Sequence, residues 1–520
     1  MTPNRNRSNR LLVVGLAEAT FDLIEPWCEV GELPNLQTLM MNGSSARLRS
    51  CMPPSTPQML ANVTTGRTPG HHGLFDFWQR GPDGVFRETR GADIKSPTIW
   101  EILDQRQVPC GLINIPFTYP PAHVEGFMIA GEDAPGAHRS IAYPTSLYDE
   151  LVKKFGRYRL KDIFPGGRDK IDYLTLIEDD VAAQTRAWSH LYASRIWQFG
   201  MCFFSATAIA QHYFWRDMAS NDPNNPFRDV VRSAYRAVDA AIGRLRDVAG
   251  DDTNIFVISE CGAGPLRAGV QMNTVLENAG LLARKKPNSN LEGSRNAVAN
   301  LRKRTQRLLQ AAMPDALYYS VNRYLGPVKS WTQSFLNASD VEWRHTRAFW
   351  RGKEGGIFIN LAGRDPQGIV APGKEYEDTC QDVADCFLAL RDPSTGEPAV
   401  TAVHRAADLY AGPMLQWAPD VIIEWNETAY MPTEDDRNKD SVFVERWREY
   451  MNWPTSGAHR LEGVLIAAGP DIVPANPPHE PRLIDLVPTW LQCLGQRPPE
   501  DLEGRILDEL LHPRLARSHS

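Results

Sequence analysis

The sequence predicts an α/β fold with a doubly wound, mostly parallel sheet and helices on both faces. Short apolar or β-branched runs alternate with helical patterns, which is typical of successive βαβ units. Of the 520 residues, 42% are hydrophobic and 23% are charged, as in globular proteins with a sizeable core. The strand-like runs are residues 11–16, 109–113, 201–205 and 254–259, and the helix-like runs are residues 34–42, 97–105, 147–155, 177–196 and 227–248.

An insertion divides the predicted core into two parts. The strand pattern stops near Arg284 and resumes near Gly355, and the gap contains the basic residues Arg302, Lys303, Arg304 and Arg307. We interpret residues 284–307 as either a solvated helix face or a surface for an anionic partner. The predicted segments are a disordered leader (1–9), a first core part (10–266), a helical cap or insertion (267–345), a second core part (346–510) and a disordered tail (511–520).

Composition and the N-terminal pattern limit the cellular setting. The basic stretch MTPNRNRSNR precedes the apolar run LLVVGLA, but Glu18 ends that run and no small-residue cleavage site follows, unlike in a signal peptide. Eight cysteines without a CxxC pair argue against a zinc ribbon or a disulfide framework. The net charge of -7 gives no general case for nucleic-acid binding. We expect a cytoplasmic protein with no membrane span and no nucleic-acid partner.

Four segments, in a fixed order, carry the most specific signal. They are LLVVGLAEATFDLI, then PPSTPQMLANVTTGRTPGHHGLFDF, then the pair FFSATAIAQHYFW and IFVISECGAGP, and finally SGAHRLEGVLIAAGP. Together they resemble the successive motifs of the type I phosphodiesterase/nucleotide pyrophosphatase family, in the alkaline phosphatase superfamily. The resemblance covers nearly the whole chain and implies the same doubly wound fold.

The resemblance also implies a two-metal mechanism. In that family two zinc-like ions hold a phosphoryl group while a threonine or serine attacks it, because a hydroxyl needs a nearby cation to become a good nucleophile. One ion takes an aspartate after the first strand, the nucleophile and an Asp-His pair, and the other takes an Asp-x-x-x-His motif and a later histidine. Thr56 matches the nucleophile, and His212 and His459 match the two histidines of the second ion.

The other four family positions are altered. The first-strand aspartate is Ala17, although Glu18 is adjacent, and the acid of Asp-x-x-x-His is Ala208. The Asp-His pair reads Glu260-Cys261. Two positions therefore cannot bind a metal, and two offer a different ligand.

The surviving ligands predict one zinc or none. A first site could form from Thr56, Glu260 and Cys261, with Glu18 as a fourth ligand, and a thiolate suits zinc. The two retained histidines alone would make a weak second site, one short of the three protein ligands of an ordinary catalytic zinc. We expect no two-metal centre and no organic cofactor.

Each candidate also has an ordinary structural interpretation. A threonine before a helix is often an N-cap, as Thr56 could be. His212 could be a packed histidine, His459 a loop residue and Cys261 a buried core thiol. The match of all four to one pocket favours a functional interpretation.

Three functions remain open at this point. The pocket could be repurposed for group transfer or hydrolysis, with Thr56, Cys261, His212 and His459 as catalytic residues. The protein could instead be an inactive relative that binds or regulates a partner, or a weak phosphoesterase with one zinc. Retention of the threonine and both histidines favours residual or new enzyme chemistry, on a substrate that the sequence does not identify.

Overall fold

Strands and helices alternate along the chain in the computed structural model, which describes residues 9–81, 83–134, 136–156, 158–160, 170–285, 341–433, 441–444, 455–474 and 479–516. The strands are β1 (Arg10–Leu16), β2 (Ser44–Arg49), β3 (Trp78–Arg80), β4 (Phe86–Glu88), β5 (Cys110–Ile115), β6 (Gly126–Ala130), β7 (Ala142–Tyr143), β8 (Phe199–Phe204), β9 (Thr253–Ser259), β10 (Gly262–Pro265), β11 (Ala268–Gln271), β12 (Ala348–Trp350), β13 (Gly356–Ile359), β14 (Val400–Arg405), β15 (Val421–Trp425), β16 (Tyr430–Thr433), β17 (Phe443–Val444), β18 (Gly457–Arg460) and β19 (Glu462–Ala468). The helices are α1 (Phe21–Glu29), α2 (Pro34–Asn42), α3 (Thr56–Thr65), α4 (Pro69–His72), α5 (Ile99–Asp104), α6 (Ser146–Phe155), α7 (Lys170–Ser194), α8 (Ala206–Met218), α9 (Val230–Ala249), α10 (Met272–Asn278), α11 (Lys374–Leu388), α12 (Ala406–Leu409), α13 (Leu486–Cys493) and α14 (Pro513–Ala516).

The central sheet has eight strands in the order β2-β19-β9-β1-β8-β5-β6-β7. Its five middle strands, β9 to β6 in that order, run parallel, while β19, β2 and β7 pair antiparallel at the two edges. Strand β1 is buried along its length except at Arg10, as expected for a strand covered on both faces. The predicted fold class, a mostly parallel doubly wound sheet, is confirmed.

Helices cover both faces of this sheet. On one face α1, α2, α7, α8 and α9 form an apolar cluster that includes the fully buried Trp188 and Tyr235. On the other face α3, α5 and α13 form a second cluster around Trp490. Helix α2 has the predicted bounds, and α7 begins at Lys170, before the predicted start at residue 177.

A second sheet forms from part of the predicted second core part. Strands β12, β13, β15 and β14 pair antiparallel in that order, and α11 packs on them. Among the described residues of 346–510, only β19 joins the central sheet. A buried ion pair between Arg80 and Asp365, with Nη1 and Oδ1 2.9 Å apart, ties the β3–β4 hairpin to this second sheet.

Several predicted segments fall at least partly outside the described residues. These include residues 1–8 of the leader and most of the insertion, with all four basic residues at 302–307. The insertion bounds at 267 and 345 stay a prediction. In the predicted tail, Leu511 is buried and α14 follows it, whereas residues 517–520 are outside the description. No helix of the described residues has the length and apolar character needed to cross a bilayer.

Candidate metal centre

Glu18 lies in a tight turn at the carboxyl end of β1. The N–H of Ala17 donates to the carbonyl of Phe204 (2.9 Å), and the N–H of Ala19 donates back to the carbonyl of Leu16 (3.2 Å). Between them Glu18 has a φ of 57°, in the left-handed region that non-glycine residues rarely adopt. The Glu18 side chain is buried at the carboxyl edge of the sheet.

Two histidines from distant parts of the chain converge on the Glu18 carboxylate. His212 lies on α8, directly after β8, and His459 lies on β18, which pairs with β10. Their Nε2 atoms are 3.0 Å and 3.1 Å from the same oxygen, Oε1 of Glu18. We call Glu18, His212 and His459 the histidine cluster.

Backbone carbonyls orient both imidazole rings. Nδ1 of His212 is 3.1 Å from the carbonyl oxygen of Gly457, and Nδ1 of His459 is 2.8 Å from that of Pro54. Because a carbonyl only accepts, each Nδ1 carries a proton and donates. Each Nε2 is therefore the atom that can bind a metal, as in metal sites whose histidines donate their other N–H to a carbonyl.

The histidine cluster fits a zinc ion. Its three ligand atoms lie within 4.8 Å of one another, and tetrahedral zinc with bonds of about 2.0–2.1 Å separates ligand atoms by roughly 3.3 Å. The second carboxylate oxygen, Oε2 of Glu18, is buried without a hydrogen-bond partner among the described residues. The side chains of His212 and His459 are 18% and 11% exposed, so the cluster is open on one side. Two histidines, one carboxylate and an open position match the ligand set of catalytic zinc.

The pKa values follow from this close contact. Burial alone would raise the pKa of Glu18, but the charges and hydrogen bonds of His212 and His459 hold it well below its usual range. Burial alone would lower the pKa of His459, but Glu18 outweighs that effect and raises it to about 10. Without a metal, the cluster is therefore an ion pair at neutral pH.

Gln211 supports the Glu18 turn, and the sequence analysis missed it. Its Nε2 donates to the backbone carbonyl of Glu18 (2.9 Å), and its Oε1 accepts from the Tyr235 hydroxyl (3.0 Å). The N–H of Thr20 in turn donates to that hydroxyl (3.1 Å). A lone glutamine in the apolar run before His212 is the sequence signal that could have identified it, because a buried amide needs partners.

A loop of the second sheet also reaches the site. Asp76 Oδ2 accepts the backbone N–H groups of Lys353 (2.8 Å) and Glu354 (3.0 Å). This brings the charge of Glu354 close enough to help raise the pKa of His459. Glu354 matches none of the family's ligand positions, so the sequence did not point to it.

Ala17 and Ala208 lie in a small apolar cluster at the carboxyl edge of the sheet. Ala17 and Ala208 pack with Leu60 of α3 and Phe203 of β8, and we call these four residues the alanine cluster. Gly15 makes room for it, because a Cβ there would lie 2.0 Å from Cδ2 of Phe203. The side chains at these two positions are therefore packed as apolar residues.

Glu260 and Cys261 follow β9 but do not join the histidine cluster. Both are fully buried, and burial together with the Glu18 charge raises the pKa of Glu260 to about 8. Burial and the nearby carboxylates raise the pKa of the Cys261 thiol well above its usual range. Cys261 packs in the apolar cluster beneath α3. Both groups would have to lose a proton before binding a cation.

Thr56 lies in the first turn of α3, after Ser55. It is partly exposed, and the loop before it contacts the site because His459 donates to Pro54. The sequence predicts that Glu18 is a possible ligand together with Thr56, Glu260 and Cys261. The structure brings Glu18 instead to the two histidines, because the left-handed turn at Glu18 directs its side chain towards them.

Comparisons with known proteins agree with this architecture. The sequence profile of the family described as type I phosphodiesterase / nucleotide pyrophosphatase matches residues 11–451. No curated protein gives a significant sequence match.

Two solved structures resemble the chain. One is phosphonoacetate hydrolase from Sinorhizobium meliloti 1021 in complex with phosphonoformate, at 13% identity and a TM-score of 0.56, covering 93% of this chain and 95% of the other. The other is human ectonucleotide pyrophosphatase / phosphodiesterase 5, at 12% identity and a TM-score of 0.48, covering 96% of this chain and 99% of the other. The first supports the fold found here. With its profile match over most of its length, the chain belongs to the type I phosphodiesterase / nucleotide pyrophosphatase family.

Proposed function

We propose that the protein hydrolyses phosphate or phosphonate esters with a single zinc ion held by Glu18, His212 and His459. The observation that carries the proposal is the convergence of two Nε2 atoms on one carboxylate oxygen, at 3.0 Å and 3.1 Å. Family membership supports the substrate class. The proposal selects the single-zinc function from the three that the sequence left open.

The chain's own groups suit such a reaction. Zinc, when bound there, would supply positive charge for a phosphoryl oxygen and lower the pKa of a bound water or hydroxyl. The partly exposed Thr56 lies at the start of the ten-residue helix α3, where backbone N–H groups favour an anion. Glu260 holds a proton at neutral pH, so it adds little repulsion against an anionic substrate.

A binding protein without catalysis is the second candidate. The alanine cluster supports it, since two family ligand positions have become apolar and a two-metal mechanism has lost its acids. The cysteine-based alternative gains no support, because the Cys261 thiol is buried and its pKa is raised.

The test is zinc content together with ester hydrolysis. Protein purified without chelator is expected to contain about one zinc per chain and to hydrolyse p-nitrophenyl phosphate or bis(p-nitrophenyl) phosphate. Glu18→Gln should weaken zinc binding by roughly 100-fold or more, since even changes beyond the direct ligands cost about 10–100-fold. Hydrolysis should fall with it.

Glu25→Gln is the matched control, because Glu25 is an exposed acid on α1. It should retain wild-type zinc content and hydrolysis. Wild-type protein without zinc would overturn the proposal, and zinc without hydrolysis would favour the binding protein.

A further inference from the structure

The alanine cluster provides an apolar surface directly beside the histidine cluster. Ala17 precedes Glu18 in the chain, and Ala208 lies four residues before His212, on the same face of α8. Both alanines retain slight exposure, 7% and 8%. An anion bound at the histidine cluster would therefore have apolar neighbours on this side.

Phe117 extends this surface away from the histidine cluster. It follows β5, packs against the alanine cluster and lies 6.1 Å from Phe77 between ring centroids. Its φ of 60° is in the left-handed region, which costs free energy at a non-glycine residue. Like Glu18, it lies at the carboxyl edge of the central sheet, where ligands bind in doubly wound folds.

A cavity of about 560 Å³ continues from Phe117. Its lining combines the apolar side chains of Ile94, Trp100, Pro120 and Met128 with polar ones that include Lys95, Glu101 and Asp104. This volume is within the range of about 300–1,000 Å³ that is usual for small-molecule pockets. Phe117 thus contacts the alanine cluster and also lines this cavity.

We propose that the substrate is an ester or phosphonate with an aryl or medium-length alkyl group, which lies on Ala17 and Ala208 and enters the cavity beside Phe117. The inference rests on the proposed function, since it assumes that the anionic head group binds at the histidine cluster. An acid at either alanine would oppose such a group, because burying apolar surface against a charge leaves the charge poorly solvated.

Two phosphonates with the same head group test the inference without turnover. Calorimetric titration of the zinc-loaded full chain should show that phenylphosphonate binds roughly 10-fold to 100-fold more tightly than methylphosphonate, the factor expected from burying an aromatic ring. Phe117→Ala should remove most of that preference. Phe155→Ala, which changes a partly exposed phenylalanine on α6, should leave it unchanged.

A second variant tests the inference independently, in case Phe117→Ala does not fold. Ala92 is exposed and lines the cavity, so Ala92→Phe should fill part of the cavity and reduce the phenyl preference without disturbing the core. Ala92→Ser should retain it. Equal binding of both phosphonates, or a preference that Ala92→Phe leaves intact, would overturn the inference while the proposed function stands. Zinc-independent binding or no binding of either phosphonate would overturn both.

Discussion

The histidine cluster and the alanine cluster are adjacent, yet different forces hold them together. The first combines a buried carboxylate with two imidazoles, and the second combines two methyl groups with an aromatic ring and a leucine. Ala17 and Ala208, which the resemblance aligns with family acids, both lie in the alanine cluster, and Glu18 of the histidine cluster is adjacent to Ala17. In the first, Glu18 supplies a carboxylate to His212 that Ala208 cannot supply. In the second, Ala17 and Ala208 pack against Leu60 and Phe203.

The difference shows that a cluster of possible metal ligands and an apolar cluster can lie side by side at one edge of the sheet. Glu18 is one residue after Ala17, and from its left-handed turn its carboxylate contacts both His212 and His459. An acid at Ala17 or Ala208 would be costly to bury without a cation beside it, whereas an alanine is not. We expect the histidine cluster to behave as a ligand site and the alanine cluster to behave as apolar packing beside it.

The largest expected effect is the pH dependence of zinc binding to the histidine cluster. Glu18 raises the pKa of His459 from 6.5 to about 10, so zinc must displace a proton from this imidazole. Apparent zinc affinity should therefore rise about 10-fold per pH unit, or about 100-fold between pH 6 and pH 8. Competition with a chelator, corrected for the chelator's own protonation, measures it.

The folding stability of the metal-free protein should change with pH in the direction opposite to zinc affinity. A raised histidine pKa adds stability that is complete below pH 6.5 and is lost as pH rises towards 10. Urea unfolding of chelator-treated protein should therefore show falling stability over that range.

A zinc affinity that does not change with pH would mean that His459 is not a ligand.

The next largest effect concerns the support of Glu18. Gln211→Leu removes the hydrogen bond to the Glu18 carbonyl, and such supporting contacts are worth about 10–100-fold in metal affinity. Zinc titration of the purified variant measures the loss. Tyr235→Phe is the comparison variant. It keeps the hydrogen bond from Gln211 to Glu18 and removes the Tyr235 hydroxyl, which donates to Oε1 of Gln211. If both variants bind zinc as the wild type does, Gln211 does not position Glu18.

The sequence could predict the fold because β1 and the following parallel strands are continuous buried runs between helical patterns. It could also predict that candidate residues lie after strands, since His212 is on the helix after β8 and Glu260 directly follows β9. It could not predict the partner of Glu18, which depends on a φ of 57° at one residue. Nor could it predict Glu354, which a contact between two sheets brings to the site.

A smaller effect is expected from adding an acid to the alanine cluster. Ala208→Asp places a carboxyl beside Leu60 and Phe203, which should cost about 1–3 kcal/mol of unfolding free energy in metal-free protein. Urea unfolding measures the loss. Added zinc should recover part of it, because the variant restores an Asp-x-x-x-His pattern with His212.

Ala240→Asp is the matched control, since Ala240 is exposed on α9. Its unfolding free energy should change by less than about 0.5 kcal/mol, with or without zinc. An Ala208→Asp protein as stable as this control would show that the alanine cluster is not packed as core.

The smallest expected effect is at Cys261, and it separates the two groupings of Glu18. The thiol is fully buried and its pKa is raised well above the usual range, so iodoacetamide should label it only after the protein unfolds in urea. Cys261→Ala should keep the wild-type zinc content, because the histidine cluster does not include this residue. Loss of zinc in Cys261→Ala, with His212→Ala still binding zinc, would instead assign Glu18 to a site with Thr56 and Glu260.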